Sequence, residues 1–254
     1  MILNTVEMGE GPALVLLHGL FGAARNWGAI QKRLAARHRV LAMDLRNHGE
    51  SPRAEGMAHA RTAEDVAETL HARGVRRADV LGHSLGGKVA MALALRHPGL
   101  VRRLVVADIA PVRYPPALRG YVAGLRALPL HAGLTRREAD AALEPAVPEA
   151  NIRAFLLQSL DLATEPPRWK LGLAEIHAAM PEVEDFAEAG RFEGPTLVIA
   201  GGRSGYIRPE HREVFRRLFP AARFATVEGA GHWVHSDQPH AFLALVEPFL
   251  GESA

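Results

Sequence analysis

Short runs of apolar, often β-branched residues recur along the 254-residue chain, and amphipathic stretches separate most of them. Short apolar runs are typical of buried strands, whereas apolar positions spaced three and four apart are typical of helices packed on one face. Six runs predict strands: Ala13–Leu17, Val40–Met43, Ala78–Leu81, Leu104–Ala107, Thr196–Ala200 and Arg223–Val227. Five stretches predict helices: Trp27–Arg37, Ala63–Arg73, Leu85–Arg96, Glu210–Phe219 and Pro239–Leu250.

The order of these elements predicts the fold class. Strands this apolar, alternating with helices, are typical of an α/β protein whose mostly parallel sheet is covered by helices on both faces. The stretch before Ala13 looks too short to define a strand, so the first edge of the sheet stays open. Thr62, three residues ahead of Asp65, is a candidate N-cap for the second predicted helix.

The strand and helix alternation breaks between Pro111 and Phe192. This segment contains no convincing strand and is predicted as several helices separated by prolines: Pro129, Pro145, Pro148, Pro166, Pro167 and Pro181. An insertion after a parallel strand leaves the sheet at the edge where ligands bind. We therefore predict a helical cap, residues 111–192, inserted into a core domain of residues 1–110 and 193–254. A helical extension with no role at the site is the alternative.

The most informative stretch is V-L-G-H-S-L-G-G-K, which lies between a predicted strand and a predicted helix. Gly82, Ser84 and Gly86 match G-x-S-x-G, the nucleophile elbow, in which a strained turn raises the serine hydroxyl above the sheet. The turn also leaves the Leu85 N–H at a helix N-terminus, where a developing oxyanion is stabilised. A glycine-rich strand–helix turn with an incidental serine is the alternative interpretation.

The first predicted strand ends in L-L-H-G-L-F-G, a glycine-containing turn. Such a turn can present a second N–H to the oxyanion, and we predict that Leu20 supplies it. Glycine turns commonly end buried strands, so H-G-x-x-G alone is weak evidence, but its pairing with the elbow is specific. We interpret His18 in this turn as a structural, hydrogen-bonding histidine.

The general base should lie on the loop after the last predicted strand, where the chain reads G-A-G-H-W-V-H. His232 and His235 both qualify by composition, and His232 is favoured because it follows the glycine directly. A metal site at H-x-x-H is disfavoured, because no acidic or cysteine ligand lies nearby and H-E-x-x-H is absent. The remaining histidines, among them His48, His59, His97 and His211, are interpreted as surface or structural residues.

The acid of a triad should lie between the nucleophile and the base in the chain. Its usual place, the turn in I-A-G-G-R-S-G-Y, carries Ser204 instead of a carboxylate. One strand earlier Asp108 ends an apolar run and could reach the same imidazole, although Asp also caps turns and helices. Asp237 is a weaker candidate, because it is placed to cap the final helix. Asp44 precedes the nucleophile and is interpreted as structural.

Together these residues resemble the α/β-hydrolase family. The segments H-G-L-F-G, D-L-R-N-H-G-E-S-P, G-H-S-L-G-G-K, V-V-A-D-I-A-P-V, R-W-K-L-G-L and G-H-W-V-H are most similar to the YbfF-type esterases, over nearly the whole chain. The resemblance implies a cofactor-free serine esterase with a helical cap. It also implies an acid after the earlier strand and a serine in the usual acid position, a pattern that Asp108 and Ser204 match. Ser204 would then support Asp108 and His232.

Composition removes several other classes of protein. The net charge of +2 gives little reason to expect a nucleic-acid partner. The chain has no cysteine, which excludes disulfides and a thiol nucleophile and fits a reducing cytosol. The N-terminus does not read as a signal peptide, and the longest apolar runs are too short to span a membrane. We therefore expect a cytoplasmic protein without a thiolate metal site, and the resemblance to the esterases implies that it needs no cofactor.

The predicted activity is that of a serine carboxylesterase acting on small to medium acyl esters through an acyl-enzyme on Ser84. Phe21, Tyr206 and Trp233 are candidates to line an apolar acyl pocket. Acyl-CoA thioesterase, perhydrolase, carbon–carbon hydrolase and aminopeptidase reactions use the same machinery and stay open. A non-catalytic ligand-binding receptor is the alternative from a different class. Haloalkane dehalogenation is disfavoured, since it needs a carboxylate at position 84.

Overall fold

The structure, a computed structural model, describes residues 1–252. Its strands are β1 Thr5–Met8, β2 Ala13–Leu17, β3 Arg39–Met43, β4 Ala78–His83, β5 Val101–Ala107, β6 Leu160–Asp161, β7 Arg168–Trp169, β8 Thr196–Gly201 and β9 Ala222–Val227. Its helices are α1 Gly28–Leu34, α2 His59–Ala72, α3 Leu85–Arg96, α4 Arg119–Ala127, α5 Arg136–Leu143, α6 Ala150–Leu156, α7 Leu173–Glu184, α8 His211–Leu218, α9 Val234–Asp237 and α10 Pro239–Gly251.

Seven strands form one sheet in the order β1-β3-β2-β4-β5-β8-β9. All neighbouring pairs are parallel except β1 and β3, so the predicted mostly parallel α/β sheet is confirmed. The six predicted strands are present, with bounds that differ by at most three residues. Strand β1 was not predicted, because Val6 and Met8 are exposed and the strand lacks the apolar run of a buried one.

Helices cover both faces of the sheet, and each face has its own apolar core. In one core, α1 and α10 pack against the sheet through Ile30, Leu34, Phe242, Val246 and Phe249. The other gathers α2, α3 and α8, with Val66, Leu70, Val89, Leu93 and Phe215. The carboxyl ends of the parallel strands therefore meet at one edge of the sheet, between the two layers, where ligands bind in such folds.

The segment between β5 and β8 leaves the sheet and returns to it, since the two strands are direct neighbours. It contains helices α4 to α7, as predicted, but also the short antiparallel pair β6–β7, so the expectation that it holds no strand is wrong. Two residues per strand are too few to produce an alternating pattern in the sequence. Pro181 was also predicted to separate helices, yet it lies inside α7.

Two local predictions about helix ends are corrected by the structure. Helix α2 begins at His59 after Ala58, and the Thr62 hydroxyl donates back to the Ala58 carbonyl, so Thr62 is not its N-cap. Helix α1 is shorter than predicted at both ends, because Trp27 belongs to a separate 3₁₀ turn, Ala24–Trp27, and the helix ends at Leu34 rather than at Arg37.

A buried lysine of the core holds the C-terminal end of α7. Lys88, in α3, donates to the carbonyl oxygens of Val183, Glu184 and Asp185 at 3.3, 2.9 and 2.7 Å. Cations are favoured at the C-terminal end of a helix, where carbonyl groups lack partners. Burial lowers the pKa of Lys88 to about 7. This contact joins the inserted segment to the helix that follows the nucleophile turn.

Candidate active site

Ser84 lies at the tip of β4, directly before α3. Its φ of 52° is a backbone conformation that residues other than glycine rarely adopt. A methyl group on Gly82 would overlap the Gly86 carbonyl, and one on Gly86 would overlap the Leu17 carbonyl. The two glycines of G-x-S-x-G are therefore required by the close approach of backbone to backbone. The resulting turn lifts the Ser84 side chain to the carboxyl edge of the sheet.

His232 lies on the loop after β9 and reaches across the sheet edge to Ser84. Its Nε2 is 3.0 Å from the Ser84 Oγ, and its Nδ1 is 2.7 Å from Oδ2 of Asp108. With Nδ1–H donating to the carboxylate, Nε2 is the acceptor for the serine hydroxyl. Its loop is held by His83, whose Nε2–H donates to the His232 carbonyl at 2.8 Å, and the Tyr206 ring stacks on the imidazole.

Asp108 follows β5, is fully buried and also has a positive φ, 51°. Its Oδ1 accepts the Gly201 N–H at 2.9 Å, and its Oδ2 accepts the Ser204 hydroxyl at 2.5 Å in addition to His232. A buried carboxylate is costly unless such partners compensate for lost hydration. The structure thus brings Ser84, His232, Asp108 and Ser204 together as the sequence predicted.

A tyrosine that the sequence reasoning missed links the two loops that carry Asp108 and Ser204. The Tyr114 hydroxyl donates to the Tyr206 carbonyl at 2.6 Å and accepts the Ala110 N–H at 2.9 Å. The Tyr206 N–H in turn lies 3.3 Å from the Ser204 Oγ, which completes a ring of contacts around the carboxylate. Burial raises the pKa of Tyr114, which keeps its hydroxyl protonated and able to donate. No local motif marks this residue.

The two predicted oxyanion donors have free N–H groups beside Ser84. Within residues 1–252, neither the Leu20 nor the Leu85 N–H donates to another protein group. Leu85 is the first residue of α3, whose N-terminal N–H groups carry partial positive charge. A methyl group on Gly19 would stand 3.3 Å from the Ser84 Cβ, so the turn before Leu20 lies against the serine.

Two buried histidines fix the turn that carries Leu20. His18 accepts the Leu45 N–H at 3.0 Å through Nε2, as expected of a structural histidine. His48 accepts the Phe21 N–H at 3.2 Å and donates to the Arg46 carbonyl at 2.8 Å. Burial lowers the pKa of His48 to about 3, so it remains neutral and able to accept. The motif D-L-R-N-H-G-E-S-P signalled an ordered loop, but not this contact to the neighbouring turn.

The rejected candidates have other partners. Asp44 accepts the N–H groups of Ala24 and Glu50 at 2.7 and 2.9 Å and orders its own loop. Asp237 was expected to cap the final helix, but it lies in α9 and accepts the Gly231 N–H at 2.7 Å, while Gln238 precedes α10. His235 stacks on Trp27 with ring centroids 4.4 Å apart and is not within reach of Ser84 through a hydrogen bond.

A largely apolar cavity of about 290 Å³ opens beside Ser84 and His232. The three predicted pocket residues, Phe21, Tyr206 and Trp233, all line it. The inserted segment contributes a further six residues: Ala117, Leu118, Tyr121, Ile152, Phe155 and Leu156. Concave apolar walls around a few polar groups are the usual form of a small-molecule site.

Residues 1–252 hold no candidate metal cluster and no candidate membrane span. No group of three or more His, Asp or Glu side chains in residues 1–252 could hold a metal ion. Over the same residues, no helix has both the length and the apolar character needed to cross a membrane.

The sheet, the nucleophile turn and the Ser–His–Asp arrangement are those of an α/β-hydrolase. Residues 12–239 match the family described as alpha/beta hydrolase fold, and the chain belongs to this family.

Among curated proteins, the chain is 39% identical over 248 residues to the sn-1-specific diacylglycerol lipase ABHD11 of Mus musculus. The alignment covers 94% of this chain and 81% of that protein. It is 33% identical to Esterase YbfF of Escherichia coli K12, with 94% and 93% covered. Among solved structures, a marine microorganism esterase superposes with a TM-score of 0.94 at 31% identity, over 98% of this chain and 99% of that one. The expected resemblance to the YbfF-type esterases is confirmed.

Proposed function

We propose that this α/β-hydrolase is a serine carboxylesterase that works through an acyl-enzyme on Ser84. Relatives that match this chain over most of their length are named esterase or lipase, and they support ester hydrolysis as the class of reaction. The observation that carries the serine mechanism is the continuous chain of contacts from Ser84 to His232 to Asp108, at 3.0 and 2.7 Å. A nucleophile, a base and an orienting acid at hydrogen-bonding distances are the requirements for activating a serine.

In the first step the Ser84 Oγ attacks the ester carbonyl carbon, and its proton passes to Nε2 of His232. The carbonyl π electrons move to oxygen, and the N–H groups of Leu20 and Leu85 stabilise the negative charge. When the tetrahedral intermediate collapses, the bond to the alcohol oxygen breaks, and that oxygen takes the proton from His232. The product is the acyl-enzyme and a free alcohol.

In the second step water attacks the acyl group while His232 accepts its proton, and the Ser84 oxygen leaves and is reprotonated. Asp108 holds the imidazole with Nδ1–H toward the carboxylate and stabilises the imidazolium that forms in each step. Ser204 donates to the same carboxylate oxygen and supports its position. This assignment gives the acid role to the end of β5 rather than to the end of β8.

We further propose that residues 111–192 act as a cap on the core formed by residues 1–110 and 193–254. Six residues of this segment line the cavity beside Ser84, and Lys88 ties its last helix to the core. A cap of this kind excludes water and gives the site an apolar wall, which suits small to medium acyl esters as substrates.

The proposal is tested with a panel of esters and acyl-CoAs of graded chain length, together with labelling by a fluorophosphonate probe. We expect ester turnover and covalent labelling in the natural protein, both of which Ser84→Ala abolishes, with kcat reduced by about 10⁶. The matched control is Ser236→Ala, an exposed serine that should leave both unchanged. Turnover of acyl-CoAs alone would replace the carboxylesterase by a thioesterase, and binding without turnover or labelling would indicate a non-catalytic receptor.

A further inference from the structure

Two separate cavities meet at Ser84, and they differ in size. The larger encloses about 290 Å³ and the smaller about 60 Å³. Both are bordered by Ser84, Leu20 and Tyr206, so the nucleophile stands at their junction. An ester also has two arms on either side of its carbonyl carbon, the acyl chain and the alcohol. The two cavities therefore raise the question of which arm each one receives.

The position of His232 distinguishes the two cavities. In the part of the chain that the structure describes, His232 borders only the larger cavity, together with its neighbours Trp233 and His235. The smaller cavity lies between α3 and α7, is bordered by Leu85 and Val183, and is not bordered by His232.

The chemistry of acyl transfer then fixes the orientation of the ester. During collapse of the tetrahedral intermediate the leaving oxygen must take its proton from His232 Nε2, so that oxygen lies on the His232 side. The oxyanion lies toward Leu20 and Leu85, and the serine oxygen occupies a third direction. The acyl chain then takes the cavity that His232 does not border, the smaller one beside α7.

We propose that the larger cavity binds the alcohol arm and the smaller cavity binds the acyl arm, so that the preferred substrates are esters of short fatty acids with larger apolar alcohols. This inference rests on the proposed serine esterase function and adds the division of its substrate. It places Phe21 and Trp233 on the alcohol side, and Ile109, Met180 and Val183 on the acyl side.

The walls of the smaller cavity favour a short apolar group. Its volume of about 60 Å³, against about 290 Å³ for the larger cavity, favours a short acetyl or propionyl tail over a long chain. Two of the polar groups at its border are already engaged, because the Lys88 ammonium group binds three carbonyl groups and the Tyr114 hydroxyl binds two backbone groups. An acyl chain there meets mainly the side chains of Ile109, Met180 and Val183.

The test compares hexyl acetate with ethyl hexanoate, two esters of the same formula whose arms are exchanged. We expect kcat/KM to be higher for hexyl acetate by about tenfold or more, since each methylene that does not fit its pocket carries a penalty of about that size. The ratio kcat/KM reports the acylation step, in which both arms are still bound. Equal rates, or a preference for ethyl hexanoate, would overturn the inference.

A pair of variants checks which cavity sets the preference. Val183→Ala enlarges the smaller cavity and should raise the ratio of ethyl hexanoate to hexyl acetate turnover by about tenfold. Ile152→Ala, also in the inserted segment but lining only the larger cavity, should not raise this ratio. The ratio is measured within one protein preparation, so a loss of folded protein does not change it, and an unchanged ratio in Val183→Ala counts against the inference.

Failure of the inference and failure of the esterase proposal give different results. If the protein is labelled by fluorophosphonate and hydrolyses ethyl hexanoate better than hexyl acetate, the acyl and alcohol assignments are reversed while the serine esterase stands. If neither isomer is hydrolysed and Ser84 is not labelled, the proposed function fails and the inference fails with it.

Discussion

Ser84 and Asp108 each follow a parallel strand of the same sheet, and both have φ values near 50°, which residues other than glycine rarely adopt. The N–H of each donates to the neighbouring strand, Ser84 to the Ala107 carbonyl at 3.0 Å and Asp108 to the Ile199 carbonyl at 2.8 Å. The two turns are thus alike in backbone and in place. What surrounds them is different.

The Ser84 turn is held by close backbone packing. Gly82 and Gly86 stand where a Cβ would overlap main-chain atoms, so the strained conformation is imposed by the tight strand–helix junction. The Asp108 turn has no glycine within two residues. It is held by polar contacts from Gly201, Ser204 and His232 to the carboxylate and by the Tyr114 hydroxyl beyond them.

The backbone conformations of two turns in one site are thus held by different interactions. Backbone packing holds the Ser84 turn, whereas the Asp108 turn depends on groups from β8, from the loops after β8 and β9 and from the inserted segment. A strained residue needs surroundings that over-determine its conformation, and the two turns meet this need in these two ways. Substitutions at each turn should therefore fail differently.

The largest effect is expected from Asp108→Asn. The amide keeps the size of the side chain but favours the wrong imidazole tautomer, and we expect kcat to fall by about 10⁴ without loss of folded protein. Steady-state kinetics with thermal unfolding as a check on folding measures this. Asp237→Asn is the matched control, because that carboxylate binds the Gly231 N–H instead, and its kcat should change by much less. Near-normal turnover by Asp108→Asn would show that the acid lies elsewhere.

A methyl group at Gly82 should lower the stability of the protein at the Ser84 turn rather than change the protonation of His232. Gly82→Ala forces the Gly86 carbonyl to move, and we expect a loss of about 3 kcal/mol or more in the free energy of unfolding, with loss of fluorophosphonate labelling. Denaturant unfolding gives the number. Gly99→Ala serves as the control, since a Cβ there meets no atom within 4 Å. Equal stability of the two variants would contradict the role of backbone packing.

Removal of the Ser204 hydroxyl should have a smaller effect on kcat. Ser204→Ala deletes one hydrogen bond to the carboxylate, a contact worth about 1.5–3 kcal/mol, so we expect kcat to fall by roughly 10–100-fold. Ser204→Thr keeps the hydroxyl and should retain more activity than the alanine variant. A loss as large as that of Asp108→Asn would mean that Ser204 takes part directly in the proton transfer.

The smallest effect is expected from Tyr114→Phe, which leaves the ring in place and removes only the contacts to Ala110 and Tyr206. Neutral hydrogen bonds contribute about 1 kcal/mol, so kcat should fall about fivefold. The control is Ser236→Ala, which removes an exposed hydroxyl and should leave kcat unchanged. If the two variants behave alike, the Tyr114 hydroxyl does not help to hold the acid turn.

Most of the core fold could be predicted from the sequence, because buried parallel strands and amphipathic helices leave local patterns. The six apolar runs all became strands of the sheet. Strand β1 was not predicted because its side chains are largely exposed, and β6 and β7 were not predicted because two residues make no alternating pattern. Pro181 was expected to separate helices because a proline removes one N–H of the helix, but α7 continues through it to Glu184.

The sequence by itself determined the turn at Ser84, because G-x-S-x-G between an apolar run and an amphipathic stretch is a local pattern and Gly82 is required by the Gly86 carbonyl four residues away, although Gly86 is required by the distant Leu17 carbonyl. It also predicted Asp108 and His232 as partners in one site with Ser84, residues that the structure brings together, but left Asp237 and His235 open as rivals. Only the tertiary structure decided which carboxylate meets which imidazole, that His48 and Tyr114 support the site, and that two unequal cavities meet at the serine. Hydrogen-bond partners and cavity walls come from residues distant in sequence, and their meeting depends on how the strands and helices pack.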